Sequence, residues 1–285
     1  MAKAKNIVLR PIRPSVAIKA KLQRELLKRY AFLRDRMAEV MDLYRKLRKA
    51  QERAEKPATG FSDGTTAETA EILNLMEKVK KMLKKIRNDF NAAFPAAGDE
   101  KLARDFVNTC NKDIITRNNM EFSRAVQDFV VRVQMTEAKK VILKAATQEA
   151  TGLIKNLGAK AQFELEDTFN RCLMEGRNIG EMVESIEKVL GVTRRRAINL
   201  AFDQTNKIEN ALDRQAKLDL GLHKAIWRHS HGWVKTEPRK SHVAADGRKY
   251  DIREGCKIDG EFIQPGEKPF CGCYSQAIIE LPGGK

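Results

Sequence analysis

Two cysteines flank a single glycine at Cys271-Gly272-Cys273, near the end of this 285-residue chain. Thiols at that spacing can ligate one soft cation, because glycine lets the backbone bend between them. Cys256 and His242 lie upstream, and the four together offer a Cys₃His tetrahedral set of the kind that holds zinc. The spacing differs from the usual pairs with two to four intervening residues. A second reading keeps the thiols as small packing residues of a reduced protein. His229, His231 and His242 stand close in sequence, beside Glu237 and Asp246. That group offers metal binding or general acid–base chemistry, with a metal-dependent nuclease as the reaction class. No nucleophile is visibly paired with a base, so no catalytic residue is assigned. Asp246-Gly247 marks a tight turn, read as a hairpin with Tyr250 opening the return strand. Trp227 anchors the core of this small region, and Trp233, in a glycine-containing loop, is a candidate partner contact.

The elements that must carry these residues are mostly helices. Pro11 and Pro14 keep the opening segment extended, and Ser15 is an N-cap. Apolar residues then recur at Leu22, Leu26, Tyr30, Leu33, Met37, Val40, Tyr44 and Leu47, one stripe of a long helix over about 15–55. A Pro/Gly/Ser/Thr loop follows at 57–66, with Thr65 and Glu68 in capping-box spacing. Ile72, Leu75, Val79, Leu83, Ile86 and Phe90 mark a second amphipathic helix ending before Pro95. Shorter helices are expected around Leu102–Val107 and Met120–Val131. Further helices run from Thr136 to a stop at Gly158, over 159–175 to Gly176, over 180–190 to Gly191, and from a Thr193 cap to about Leu220. Beyond Gly221 the glycines, prolines and histidines crowd together. Short β-like runs appear there at Lys224–Trp227 and Tyr274–Leu281. The expected class is mainly α: an elongated helical N-terminal part with a small C-terminal α+β module. Three consecutive segments are expected: a basic arm and long helix at 1–60, a helical bundle at 61–190, and the module with its preceding helix at 191–285.

Composition narrows the partners. Hydrophobic residues make up 42% of the chain, enough for a core, and the formal net charge is +16. Residues 1–60 hold 17 Lys and Arg against 6 Asp and Glu, so most of that excess sits in the first fifth of the chain. Lys19, Lys21, Arg24, Lys28, Arg29, Arg36, Arg45, Lys46, Arg48 and Lys49 are the candidate contacts to the phosphates of DNA, alongside the plainer reading of a solvated helix face. No apolar run is long enough for a transmembrane helix, and the first residues lack the apolar region of a secretory signal. Five cysteines in a chain of this length fit a reducing compartment better than a disulfide framework.

Read in order, the C-terminal residues resemble the phage head morphogenesis family, minor head proteins similar to protein F of phage Mu. The motif runs through Asp203-Gln204, Gly221, Trp227, Pro238-Arg239, Ser241-His242, Asp246-Gly247, Pro265-Gly266-Glu267 and Cys271/Cys273. It is strongest over about 176–280, and GVTRRRA (191–197) and LRPIRPS (9–15) extend it more weakly. Relatives often carry Arg between the two cysteines, where this chain has Gly272. They also often carry an Asp-Glu-Arg-Val-Arg segment before the His, where this chain has a longer insert containing Trp. The resemblance implies a structural component of a tailed phage or prophage, made in the bacterial cytoplasm and built into the virion head near the portal vertex. Its implied partners are the portal protein, the major capsid protein and, non-specifically, double-stranded DNA; no membrane is implied. The cofactor expected at the cysteines is a structural zinc, while a metal-dependent nuclease would hold zinc or magnesium among His229, His231, His242 and Asp246.

Overall fold

The computed structural model describes residues 6–54, 64–126, 132–175, 177, 179–230 and 237–280. It is mainly helical, with a small C-terminal sheet module, in the order β1 (Ile7–Val8), α1 (Val16–Ala54), α2 (Gly64–Ala93), α3 (Ala96–Ala125), α4 (Glu137–Met174), α5 (Ile179–Asp219), β2 (Lys224–Arg228), α6 (Lys240–Ala244), β3 (Lys249–Asp251), β4 (Cys256–Ile258), β5 (Glu261–Ile263) and β6 (Tyr274–Ile279). No described helix is long and apolar enough to cross a membrane.

The long first helix forms where the stripe places it. Ser15 caps it, its Oγ accepting from the Ile18 N–H at 3.3 Å. The chain divides into two compact units, residues 24–99 with 152–198, and residues 1–23, 100–151 and 199–285. These do not follow the three consecutive segments expected, because α1, α3, α4 and α5 each supply residues to both. In the first unit, Leu33, Met37, Val40, Tyr44 and Leu47 of α1 join Leu75, Val79, Leu83, Ile86 and Phe90 of α2. Leu165 and Phe169 of α4 and Met182, Ile186 and Leu190 of α5 complete this core. Each such side chain, fully buried, contributes roughly 1.5–3 kcal/mol. Tyr44 OH, inside the core, donates to Arg177 O at 2.5 Å and Cys172 O at 3.1 Å.

Three expected helix breaks are absent. One helix, α3, replaces the two short ones. Its inward face, Ala103, Phe106, Cys110, Ile114 and Phe122, is interrupted by buried Asn111 and Asn118, so the apolar period looked broken. Helix α4 continues through Gly158 because the glycine serves packing: a Cβ there would lie 2.8 Å from the Phe90 ring. Helix α5 continues through Gly191, and Thr193 is buried mid-helix, its hydroxyl donating to Val189 O at 3.0 Å rather than capping. Asn and Gly dent a helical pattern, but packing along the rest of the helix outweighs a cost near 1 kcal/mol per glycine. The Thr65/Glu68 side chains, Gly176 and residues 127–131 lie outside the described residues.

In the second unit an antiparallel four-stranded sheet has the order β1-β6-β2-β3, and β4 and β5 form a separate hairpin. Trp227 opposes Ser275 in the central pair, and its ring is fully buried as expected. Asp246-Gly247 does form a turn, with Gly247 at φ +82°. The turn joins α6 to β3, however, and is not the tip of a hairpin. Lys240–Ala244 coil into one helical turn, so β3 pairs instead with β2.

Candidate metal centre

Three donors meet in the C-terminal module. His242, Cys271 and Cys273 are all buried, and their ligand atoms lie within 4.8 Å of one another. His242 Nδ1 is 3.4 Å from Cys271 Sγ and 3.7 Å from Cys273 Sγ. Zn–S and Zn–N bonds of about 2.3 and 2.0–2.1 Å at a tetrahedral angle put S and N roughly 3.6 Å apart. The two distances therefore bracket the edge of a tetrahedral site, and two thiols with an imidazole are a soft donor set suited to zinc. Bound there, zinc would crosslink α6 to the segment before β6. Cys256, expected as the fourth ligand, is not in the group. It is fully buried on β4 in the same apolar cluster as Trp227, Tyr250 and Ile263, and acts there as a packing residue.

The electrostatics favour one thiolate. The neighbouring Cys273 thiol, with His242 beside it, holds the Cys271 thiol well below the usual range. The hydrogen bond with Cys271, together with burial, pushes Cys273 up. The Trp227 indole N–H is buried without an oxygen or nitrogen acceptor, and its influence falls on Cys273, where it favours the thiolate. The Trp227 ring also meets His242 edge-on, with centroids 5.4 Å apart. Trp227 thus fixes the imidazole from one side.

Helix α5 holds the cysteine segment by its backbone. Asp203 Oδ1 accepts from Phe270 N–H at 2.6 Å. Asn206 Nδ2 donates to Cys271 O at 3.3 Å and Asn210 Nδ2 to Cys273 O at 3.2 Å. Lys217 Nζ donates to Ser275 O at 2.9 Å and is ion-paired with Asp213. Spaced by three, four and seven residues, these side chains lie along one face of α5 and read out residues 270–275 in order. Asn118 of α3 donates to Asp213 at 3.1 Å, so the buried acid is shared by two helices. Gly266 closes the arrangement. It has φ +78°, and a Cβ would sit 2.6 Å from Asn210 Nδ2. Of this ladder only Asp203 was singled out from sequence; the polar i, i+3, i+4 repeat at Asn206, Asn210 and Asp213 was the available signal for the rest.

The other motif residues are placed as follows. Gln204 is buried and donates to Glu149 at 3.3 Å. Gly221, at φ +73°, ends the turn after α5. Pro238 is exposed just before α6, and Arg239 at its N-cap donates to Pro269 O at 3.1 Å. Pro265 precedes the Gly266 turn. Of the acid–base group, the backbone N–H of His229 donates to Asp246 Oδ1 at 3.0 Å, while His231 and Trp233 lie outside the described residues.

The opening segment is fastened to the same unit. Gln276 Nε2 donates to Leu9 O at 2.7 Å and Leu9 N–H to Ala277 O at 3.0 Å. Glu209 of α5 accepts from Ser15 N–H at 2.6 Å and from Arg117 at 3.2 Å, and Arg117 also pairs with Asp113. Burial pushes the Glu209 carboxyl up to about 7, against the pull of the Ser15 N–H and Arg117.

The candidate DNA contacts on α1 divide. Arg29 is excluded: it is buried, ion-paired with Asp99 and stacked 4.8 Å from the Phe94 ring centroid. Lys28 pairs with Glu25, Arg36 with Asp89, and Arg45 and Lys46 both with Asp42. Arg48 donates to Gln51, and Lys19, half-buried, lies over the Phe202 ring, where desolvation lowers its pKa. Lys21, Arg24 and Lys49 are exposed.

No protein-family model, curated protein or solved structure matches this chain.

Proposed function

We propose that the protein is a minor structural component of a tailed-phage or prophage head, assembled in the host cytoplasm and built in near the portal vertex. One observation carries this reading. Motif elements scattered over seventy residues of sequence converge on one place: Trp227 meets His242 and His242 meets both cysteines, while Asp203 and Arg239 hold the backbone just before Cys271 and Gly266 closes against Asn210. A resemblance built only from coincident residue types has no reason to converge in this way. All three donors are buried, which suits a structural zinc, while three protein ligands also leave one tetrahedral position for water, as hydrolytic zinc does. The converging motif therefore carries the docking-module reading, and the metal-dependent nuclease that the His/Asp/Cys cluster suggests is the alternative. The module would seat on the portal or major capsid protein, and a basic helix would lie against packaged DNA.

The test is quantitative mass spectrometry of gradient-purified heads, full and emptied of DNA, against the portal. The expected result is a fixed low copy number that survives DNA loss. Absence from both fractions overturns the reading. Plasmid cleavage with added metal that disappears in His242→Ala would establish the nuclease instead.

A further inference from the structure

The strongest exposed charge in the described residues is not on α1, where the sequence placed it. From Lys78 to Asn88, α2 carries Lys78, Lys80, Lys81, Lys84, Lys85 and Arg87 with no Asp or Glu among them. All six are exposed, while Val79, Leu83 and Ile86 from the same stretch are buried in the helical core. The core thus fixes the backbone and turns the cations outward. Lys81 pairs with Glu77 and Arg87 with Glu166. Lys78, Lys80, Lys84 and Lys85 make no ion pair among the described residues; Glu77 is the nearest acid to Lys80 in sequence and already holds Lys81. On α1, by contrast, half of the candidate cations are held by carboxylates of this chain.

We propose that this outer face of α2 is a track for the phosphate backbone of double-stranded DNA. The identity of the polyanion rests on the head-protein reading; the surface does not. At 1.5 Å per residue the stretch from 78 to 87 spans about 14 Å. Over that length a duplex presents roughly eight phosphates, at one per 1.7 Å of axis. Four cations without ion pairs can meet them without breaking any internal salt bridge. The face carries no aromatic residue on which unpaired bases would stack, which favours a duplex over a single strand. Its cations are flexible ammonium and guanidinium groups, and a lone exposed amide, Asn88 at the end of the stretch, is too little to read a sequence of base edges, so binding is independent of sequence.

The experiment uses the full chain and a fluorescent 30-base-pair duplex of mixed sequence, followed by anisotropy from 50 to 200 mM NaCl. Four phosphate contacts give a slope of about −3.6 in log K against log salt, roughly a hundredfold loss across that range. Lys78→Gln/Lys80→Gln/Lys84→Gln/Lys85→Gln keeps helix propensity and is expected to remove most of that slope. The α1 variant Lys21→Gln/Arg24→Gln/Lys49→Gln is expected to change it by less than one. Circular dichroism confirms that both variants are folded. An unchanged slope in the α2 variant overturns the proposal, as does a larger loss in the α1 variant. Wild-type binding to phosphatidylserine vesicles but not to the duplex would assign the face to an anionic membrane instead. Copy number in purified heads is measured separately, so a head protein that ignores DNA sinks this inference alone.

Discussion

The helical core around Tyr44 and the small sheet that follows α5 are held by opposite means. In the first, some eighteen buried residues from four helices share one apolar interior, and no single contact specifies the arrangement. In the second, strands of three to six residues offer little apolar surface. Position there comes from side chains that each address one backbone atom, and from three clustered donors. A shared apolar interior tolerates exchange of one hydrophobic residue for another of similar volume, typically at under about 1.5 kcal/mol. A directed hydrogen bond to a named carbonyl has no such substitute, and leaving a buried partner unsatisfied costs roughly 1–3 kcal/mol.

The sharpest way to break this contrast is to remove the donors. Cys271→Ser, Cys273→Ser and His242→Ala are each expected to abolish stoichiometric zinc and to cost several kcal/mol, since metal binding is folding energy in a small module. Cys256→Ser should keep the metal. Elemental analysis with thermal melts in the presence and absence of chelator reads both. Equal zinc loss in Cys256→Ser would restore the four-ligand set read from sequence.

Gly266→Ala comes next, at roughly 2–3 kcal/mol, combining a positive φ with a Cβ inside the Asn210 side chain. Gly221→Ala shares the positive φ but meets nothing within 4 Å, and should cost about 1 kcal/mol. Denaturant melts separate the two.

Glu209 makes the comparison depend on pH. Its folded pKa of about 7 lies above the ordinary 4.5, so the folded state binds the proton more tightly. Its contribution therefore falls as pH rises from about 4.5 to 7 and is flat above that. Glu209→Gln, which stays neutral and can still accept from Ser15, should flatten this part of the stability–pH profile relative to wild type. A profile that stays parallel to wild type across the window counts against the buried carboxyl as its source.

The smallest effect is expected in the helical unit. A Cβ at Gly191 would meet nothing within 4 Å, so Gly191→Ala should raise stability by up to about 1 kcal/mol. Gly158→Ala should lower it, because the Phe90 ring must move.

The same contrast explains what could be read from sequence. The α1 and α2 stripes at period 3.6 located their helices to within one or two residues, because long amphipathic helices write their burial into spacing. Trp227 and the β2 and β6 runs were legible for a similar reason. Gly158 and Gly191 misled because a glycine that stops a helix looks, in one dimension, like one that admits a neighbouring ring, as Gly158 does, or one the helix simply carries, as Gly191 does. Cys256 misled because metal-ligand counting cannot tell a thiol at the site from one packed elsewhere in the same core. The ladder on α5 was missed because its targets are backbone atoms, which leave no residue type behind. Arg29 was read as a surface cation because its partner, Asp99, lies seventy residues away.

The pairing of Ile7 with Ile279 in the sheet has a consequence for the order of events as the chain is made. Leu9 and Gln276, which bond beside that pair, are 267 residues apart. At roughly 5–20 residues per second, the ribosome emits the opening strand some 13–53 s before its partner exists. During that interval Ile7, Val8 and the backbone around them present an unpaired edge. The strand that closes it is β6, the last element among the described residues. A truncation before β6 would therefore leave that edge open, and a nascent-chain trap should find the opening segment protease-sensitive until β6 clears the exit tunnel.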